Sequence, residues 1–184
     1  MFTQFQNAFS DSALRWLVTF LVLGLGLPRA EEDHLVALIG AVFALPFLLF
    51  SSTGGWLADR FSKRGVMIGV KTAEIGIMLL ATAALARGPL ALQIGAVCLM
   101  GLHSTVFAPS KYGIMPELLP LRRLSWGNGI LELLTFLGII AGTTAGGWLA
   151  QHFGGQPHAA GLLLTAVALT GFASSFGITR VPPA

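Results

Sequence analysis

The feature of this sequence that most constrains its fold is a series of six apolar runs, each long enough to cross a lipid bilayer. They cover approximately residues 5–27, 35–57, 66–86, 90–108, 127–149 and 159–178. A transmembrane helix needs about 20 predominantly apolar residues. Only 10% of the residues are charged, whereas soluble domains have about 25%. We therefore predict an all-α membrane protein with six transmembrane helices, the first to sixth spans.

Basic residues in the predicted loops indicate how these spans are oriented. Arg29 and Arg87 lie at one end of the spans. Seven basic residues lie at the other end, in the 2–3 loop, the 4–5 segment and the tail: Arg60, Lys63, Arg64, Lys111, Arg122, Arg123 and Arg180. Because Lys and Arg are enriched in cytoplasmic loops, both termini are predicted to be cytosolic. The acidic loop 31–33 then faces outward. Residues 1–180 form one six-helix unit, and 181–184 are interpreted as a linker or a truncation point.

Two stretches of the chain nearly repeat each other. The sequence GGWLADRF at residues 54–61 returns 92 residues later as GGWLAQHF at residues 146–153, with six of eight positions identical. The two copies end the second and fifth spans, which cross the membrane in opposite directions. We therefore predict that the first three and last three spans are inverted repeats, which is an architecture found in secondary transporters.

Several ionisable residues lie inside the predicted spans, where they usually face a bundle interior or a water-filled cavity. Asn7, Asp11 and Arg15 share one face of the first span, because they are spaced four residues apart. The other spans contribute Lys71, Glu74, His103 and Glu132. We predict that Asp11 and these four residues bind substrate. The alternatives are that Asp11–Arg15 and Lys71–Glu74 neutralise each other, and that His103 is an ordinary interior histidine.

The segment 107–118 contains features that membrane crossing alone does not explain. Pro109 is expected to interrupt the fourth span and free backbone groups to line a cavity. Lys111 supplies a point charge suited to phosphate, and Tyr112 supplies a ring suited to the headgroup boundary. Lys111 and Tyr112 are therefore further candidate binding residues, and the alternative is that the segment anchors the chain at the membrane interface.

Three glycines at 138, 142 and 146 lie on one face of the fifth span, where small residues allow a neighbouring helix to come close. This pattern is consistent with static packing or with helix sliding. Nothing in the sequence indicates an enzyme, a cofactor or a metal. It has no nucleophile–base arrangement, phosphate-binding loop or ligand cluster, and its single cysteine, Cys98, is interpreted as a packing residue.

The loop from Gly55 to Arg64 resembles a signature of the major facilitator superfamily, G-x-L-A-D-R-x-G-R-K. The matching residues are Gly55, Leu57, Ala58, Asp59 and Arg60, followed by the bases Lys63 and Arg64. Ser62 replaces the second glycine of the signature, and the two final bases are exchanged. This resemblance implies a cytosolic gate in which the acid and the bases form charge pairs. It also implies that the chain is half of a twelve-helix fold.

Five segments together resemble the lysophospholipid transporter family, a branch of that superfamily. They are residues 6–14, the loop signature, 70–75, 109–114 with Glu117-Leu118, and 127–132. The resemblance covers approximately residues 4–150. Members of this family occur as free permeases and as permease domains fused to an acyltransferase and an acyl-carrier-protein ligase.

This resemblance implies that the protein flips lysophospholipids, such as lysophosphatidylethanolamine, across a bacterial inner membrane for re-acylation. The family's first-span acid corresponds to Asp11, and its Lys-Tyr-Gly segment to residues 111–113. The expected mechanism is alternating access. The expected partners are a second six-helix half and, for a fused or associated enzyme, an acyltransferase, with no nucleic acid. The alternatives are a transporter of another amphiphile or drug, and a membrane anchor that transports nothing.

Overall fold

The computed structural model describes residues 1–178, which form six long helices in the predicted order. These are α1 (Phe2–Leu23), α2 (Arg29–Arg60), α3 (Lys63–Arg87), α4 (Leu90–Gly113), α6 (Leu124–Phe153) and α7 (Pro157–Ser175). A four-residue helix, α5 (Met115–Leu118), and the 3-10 turn Leu121–Arg123 connect α4 to α6. The predictions for Arg180 and for the tail 181–184 fall outside the described residues.

Five of the six long helices are long and apolar enough to cross a membrane by length and composition, and α1 is not among them. With 22 residues, α1 is about 33 Å long, which matches the hydrocarbon thickness of a bilayer. Its polar side chains are buried inside the bundle, including those of Gln6, Asn7, Ser10 and Asp11. The prediction of six helices is confirmed, and the most polar of them lies among the others.

The prediction that Pro109 ends the fourth span is wrong, because α4 continues through Pro109 to Gly113. Proline removes the N–H that would bond the carbonyl four residues earlier, which here belongs to Thr105. This carbonyl lies against Gly54 of α2, where an added Cβ would be 2.7 Å from Thr105 O. The oxygen that Pro109 leaves without its helical partner therefore faces a neighbouring backbone rather than a cavity.

The acidic residues 31–33 also do not form a loop, since α2 begins at Arg29 and includes them in its first turns. Pro28 precedes the helix with an extended backbone conformation. Carboxylates near a helix N-terminus interact favourably with the positive end of the helix dipole. The acidic cluster therefore extends α2 beyond the apolar run from which its start was predicted.

Helix packing follows the inverted repeat. The most extensive contacts pair α1 with α6 and α2 with α4. In both pairs, the first helix of one half packs against the second helix of the other half. A Cβ on Gly54 would lie 2.7 Å from Thr105 O, and a Cβ on Gly146 would lie 2.7 Å from Ala13 O. The interval of 92 residues that separates Gly54 from Gly146 also separates Ala13 from Thr105. The two approaches are therefore equivalent contacts in the two repeats.

Apolar and polar side chains separate along the bundle axis. The main apolar core includes Leu17 of α1, Met78 of α3, Val97 of α4 and Leu164 of α7, and lies toward the end that contains the α1–α2, α3–α4 and α6–α7 connections. Apart from Thr19, the buried polar residues of α1, α3 and α4 lie toward the opposite end. The chain thus has an apolar end and a polar end, and the candidate site lies at the polar end.

The equivalent glycines make the repeat testable. We expect Gly54→Ala and Gly146→Ala each to lower the free energy of unfolding by about 1–3 kcal/mol, the usual cost of overpacking, because each Cβ would press on a carbonyl. Gly76→Ala is the control, since an added Cβ there meets nothing within 4 Å and alanine favours the helix. Thermal unfolding in detergent measures all three variants. Equal stability of Gly146→Ala and Gly76→Ala would contradict the packing described.

Candidate functional site

A cavity of about 270 Å³ lies between α1, α2, α4 and α6, and we call it the central cavity. Charged groups of both signs line it, namely Asp11, Arg15 and Lys111. The polar side chains of the wall are those of Gln4, Asn7, Ser12, Ser104 and Thr135. The apolar side chains are those of Ala8, Phe43, Phe47, Phe107, Ala108 and Ile139. Pockets with a few polar groups in a largely apolar wall are typical of small-molecule binding sites.

Asp11 is buried at the edge of this cavity, and its two carboxylate oxygens have different surroundings. Oδ2 accepts hydrogen bonds from Ser104 Oγ at 2.5 Å and from Asn7 Nδ2 at 3.1 Å. Oδ1 is buried and has no hydrogen-bond partner among the described residues. A buried polar atom without a partner is unfavourable, so the carboxylate of Asp11 keeps an unsatisfied acceptor at the edge of the cavity.

Arg15 does not neutralise Asp11, although one turn of helix separates the two residues. Its guanidinium lies over the ring of Phe43 at 4.9 Å and near the ring of Trp16 at 5.7 Å. Such cation–π contacts hold the cation in place without balancing its charge by an anion. Arg15 Nε has no hydrogen-bond partner among the described residues. Asp11 and Arg15 therefore line the same cavity as an anionic and a cationic side chain that do not form an ion pair with each other.

Lys111 lies where the central cavity meets a second cavity of about 360 Å³, and it lines both. Its ammonium is 4.7 Å from the ring of the neighbouring Tyr112. Tyr112 donates a hydrogen bond to Glu132 of α6, which joins α4 and α6 beside Lys111. The second cavity, called here the end cavity, has a largely apolar wall that includes Met67, Ile114, Leu118 and Leu131.

The ion pair predicted as an alternative for Lys71 and Glu74 is present, with 2.6 Å between Nζ and Oε2. Both side chains are fully buried, and neither lines the central cavity. His103 is buried beside them, with its ring stacked on Phe107 and its Nε2 3.7 Å from Glu74 Oε2. These three predicted binding residues thus lie behind the cavity wall, where Lys71 and His103 contact side chains that form it and Glu74 contacts Lys71.

The bases of the loop signature contact other parts of this chain. Lys63 Nζ pairs with Glu117 of α5 at 2.5 Å, and Arg64 donates to the carbonyls of Ile178 and Phe176 near the end of α7. These contacts fasten the start of α3 to two neighbouring segments. Ser62, where the signature has glycine, caps α3 by accepting a hydrogen bond from Gly65 N at 3.1 Å.

The remaining part of the signature is exposed. Gly55 is half-buried, with nothing within 4 Å of an added Cβ. Arg60 lies over the ring of Trp56 at 5.4 Å. Asp59 is exposed, and it forms no ion pair with residues 1–178. Its carboxylate is therefore accessible and has no cationic partner among the described residues.

Three residues that the sequence analysis did not select contribute to the site. Gln6 bonds to Lys71, Glu74 and Ser10, Ser104 donates to Asp11, and Glu117 pairs with Lys63. Gln6 precedes Asn7 on α1, and Ser104 follows His103 on α4. The signals in the sequence were that Gln6 and Glu117 lie in segments of the family resemblance and that Ser104 is adjacent to His103. Helix periodicity places neighbours in sequence on different faces, so adjacency alone does not predict a shared site.

The buried ion pair makes a prediction about stability. We expect Lys71→Met to lower the free energy of unfolding by about 3–5 kcal/mol, because it leaves Glu74 as an uncompensated buried charge. Replacing both partners, with Lys71→Met and Glu74→Gln, should recover most of the loss. The control is Lys63→Met at a partly exposed pair, where about 1 kcal/mol is expected. Equal losses for the two lysine variants in a thermal-unfolding assay would contradict this account.

Comparison with known proteins places the chain in a family. Residues 1–184 match the profile of the Major Facilitator Superfamily. The chain is 33% identical over 150 residues to the lysophospholipid transporter LplT of Citrobacter koseri, and 32% identical over 148 residues to that of Salmonella arizonae. Each alignment covers 80% of this chain and 35% of the relative, so the chain spans about a third of the length of these relatives. The fold, the inverted repeat and the profile match agree: the chain belongs to the major facilitator superfamily.

Proposed function

We propose that the protein containing this chain moves lysophospholipids across the bacterial inner membrane, where they are re-acylated. The observation that carries this proposal is the central cavity, which is lined by the acid Asp11 together with the cations Arg15 and Lys111. A phosphoethanolamine headgroup has a complementary pair of charges, with an ammonium for Asp11 and a phosphate for the two bases. The printed names of the relatives support the same substrate class.

The apolar surroundings of the cavity suit the rest of such a molecule. Phe43, Phe47 and Ile139 line the central cavity, and the adjoining end cavity is mainly apolar. We propose that the acyl chain extends along these walls while the headgroup occupies the central cavity. In this arrangement Lys111 sits at the junction of the two spaces. Tyr112 and Glu132 hold α4 and α6 beside it, and Lys71, Glu74 and His103 support the wall from behind.

The same proposal includes a second six-helix half. Large apolar side chains are exposed along α2 and α6, including Leu48 at 80%, Leu133 at 53% and Phe136 at 62%. These helices border the central cavity, so a second half placed against them would enclose a substrate. Asp59 would then meet a helix of the second half and close the cytosolic end, and rocking of the two halves would alternate access to the cavity.

Uptake of labelled lysophosphatidylethanolamine into spheroplasts tests the substrate and the site. With the full-length protein, we expect saturable uptake that Asp11→Asn and Lys111→Ala each reduce about tenfold, the scale of one hydrogen bond to a charged group. The control is Arg87→Ala, at the opposite end of the bundle, which should transport at the wild-type rate.

The outcomes of this assay separate the alternatives. If Asp11→Asn and Lys111→Ala both transport normally, the site is wrong although the substrate stands. Stronger competition by another amphiphile or drug than by unlabelled lysolipid would assign a different substrate. Complete absence of uptake would favour a membrane anchor for an acyltransferase.

Cysteine labelling tests the orientation proposed from the basic loops. In a Cys98→Ala background, Glu32→Cys should react with an impermeant maleimide on intact spheroplasts, because residue 32 lies at the outward end of α2. Arg122→Cys should react only after the membrane is opened, since residue 122 lies in the cytosolic connection between α4 and α6. The reverse pattern would invert the proposed topology and place both termini outside.

A further inference from the structure

Lys71 is fully buried and uses all three of its ammonium hydrogens. Its Nζ lies 2.7 Å from Gln6 Oε1, 3.0 Å from Asn7 Oδ1 and 2.6 Å from Glu74 Oε2. Glu74 balances the charge, and its other oxygen accepts a hydrogen bond from Gln6 Nε2 at 2.8 Å. A lysine ammonium has three donors and no acceptor. The Lys71 ammonium can therefore bond Asn7 only through the oxygen of the Asn7 amide.

This restriction determines which way the Asn7 amide points. With Oδ1 held by Lys71, Nδ2 lies on the other side and donates to Asp11 Oδ2 at 3.1 Å and to Ser104 Oγ at 3.1 Å. If the amide were rotated by half a turn, its NH₂ would face the ammonium and its oxygen would face the carboxylate. Both contacts would then be repulsive, so the buried cation selects one of the two orientations.

The orientation of Asn7 in turn affects the carboxylate of Asp11. Asn7 and Ser104 both donate to Oδ2, which fixes the plane of a carboxylate whose residue lines the central cavity. Asn7 itself lines this cavity, whereas Lys71 and Glu74 do not. The contacts therefore run from a buried ion pair, through one amide, to an acid at the cavity wall.

We propose that Lys71 and Glu74 are positioning residues for Asp11: through Asn7, they hold its carboxylate in the orientation that receives an ammonium group on the substrate. This inference rests on the proposed function, since it assigns these residues a part in lysolipid affinity. A purely structural ion pair would hold α3 in place whichever partner carried the positive charge. The positioning role requires the positive charge at position 71.

Exchange of the two charges distinguishes these roles. The variant with Lys71→Glu and Glu74→Lys keeps a buried ion pair but places a carboxylate next to Asn7, which favours the rotated amide. In the spheroplast assay, we expect the KM for lysophosphatidylethanolamine to rise about tenfold, the scale of one hydrogen bond to a charged group. The maximal rate per folded protein should change less.

A second comparison tests whether the effect passes through Asn7. We expect Asn7→Ala alone to raise the KM to a similar extent. Adding the exchanged pair to Asn7→Ala should give no further increase, because residues that act through one another are not additive. Thr82→Val is the control, since it removes a partly buried hydrogen bond between Thr82 and Thr165 of α7 far from the cavity and should leave the KM unchanged.

The results separate this inference from the proposed function. A wild-type KM in the exchanged variant, or independent additive effects in the Asn7→Ala background, would overturn the positioning role while lysolipid transport stood. If the exchanged variant fails to fold, the neutral pair Lys71→Met with Glu74→Gln takes its place. A KM of this neutral variant equal to that of Asn7→Ala would support the positioning role, and a wild-type KM would show that the pair is only structural. No uptake by the wild type would overturn the proposed function, and with it the role of Lys71 in lysolipid affinity.

Discussion

The placement of α1 depends on one requirement, that its buried polar side chains find partners on neighbouring helices. A bilayer offers no water to polar groups in its hydrocarbon region, and an unpaired buried polar group is costly. Gln4 reaches Thr135 of α6, Gln6 reaches α3, and Asn7 and Asp11 reach Ser104 of α4. The helix whose composition is least suited to lipid, α1, is therefore the one that forms hydrogen bonds with α3, α4 and α6.

Close backbone packing makes these contacts possible. Gly138, Gly142 and Gly146 let α1 lie against α6, and Gly171 of α7 leaves room for the Gln6 amide. Small residues at helix interfaces have this effect generally in membranes. The glycine stripe is consistent with static packing in this conformation, and helix sliding along it remains a hypothesis. The glycine packing thus extends from the polar end, where Gly138 meets Phe5 and Ala8, to the apolar core, where Gly146 meets Ala13 and Leu17.

The inverted repeat is symmetric in packing but not in chemistry. The interval of 92 residues that relates the glycine contacts also relates Lys71 to Leu163 and Glu74 to Ala166. The buried ion pair of α3 therefore has only apolar counterparts in α7. Because the repeats are inverted, equivalent positions lie at opposite ends of the bundle, and a polar site at one end needs charges in only one copy. The second copy of the loop sequence likewise has Gln151 and His152 where the first has Asp59 and Arg60.

The sequence by itself determined the class of the protein, the number of long helices, the repeat and most of the residues at the polar end. The length of an apolar run, the spacing of glycines and the presence of a charged residue within a span can all be read from local sequence. Only the tertiary structure decided that Arg15 contacts Phe43 rather than Asp11. It also decided that α4 continues through Pro109 and that Lys71 lies behind the cavity wall rather than in the cavity. Residues that share a helix face can still bond to different helices, and which bond forms depends on the neighbour that lies within hydrogen-bonding distance.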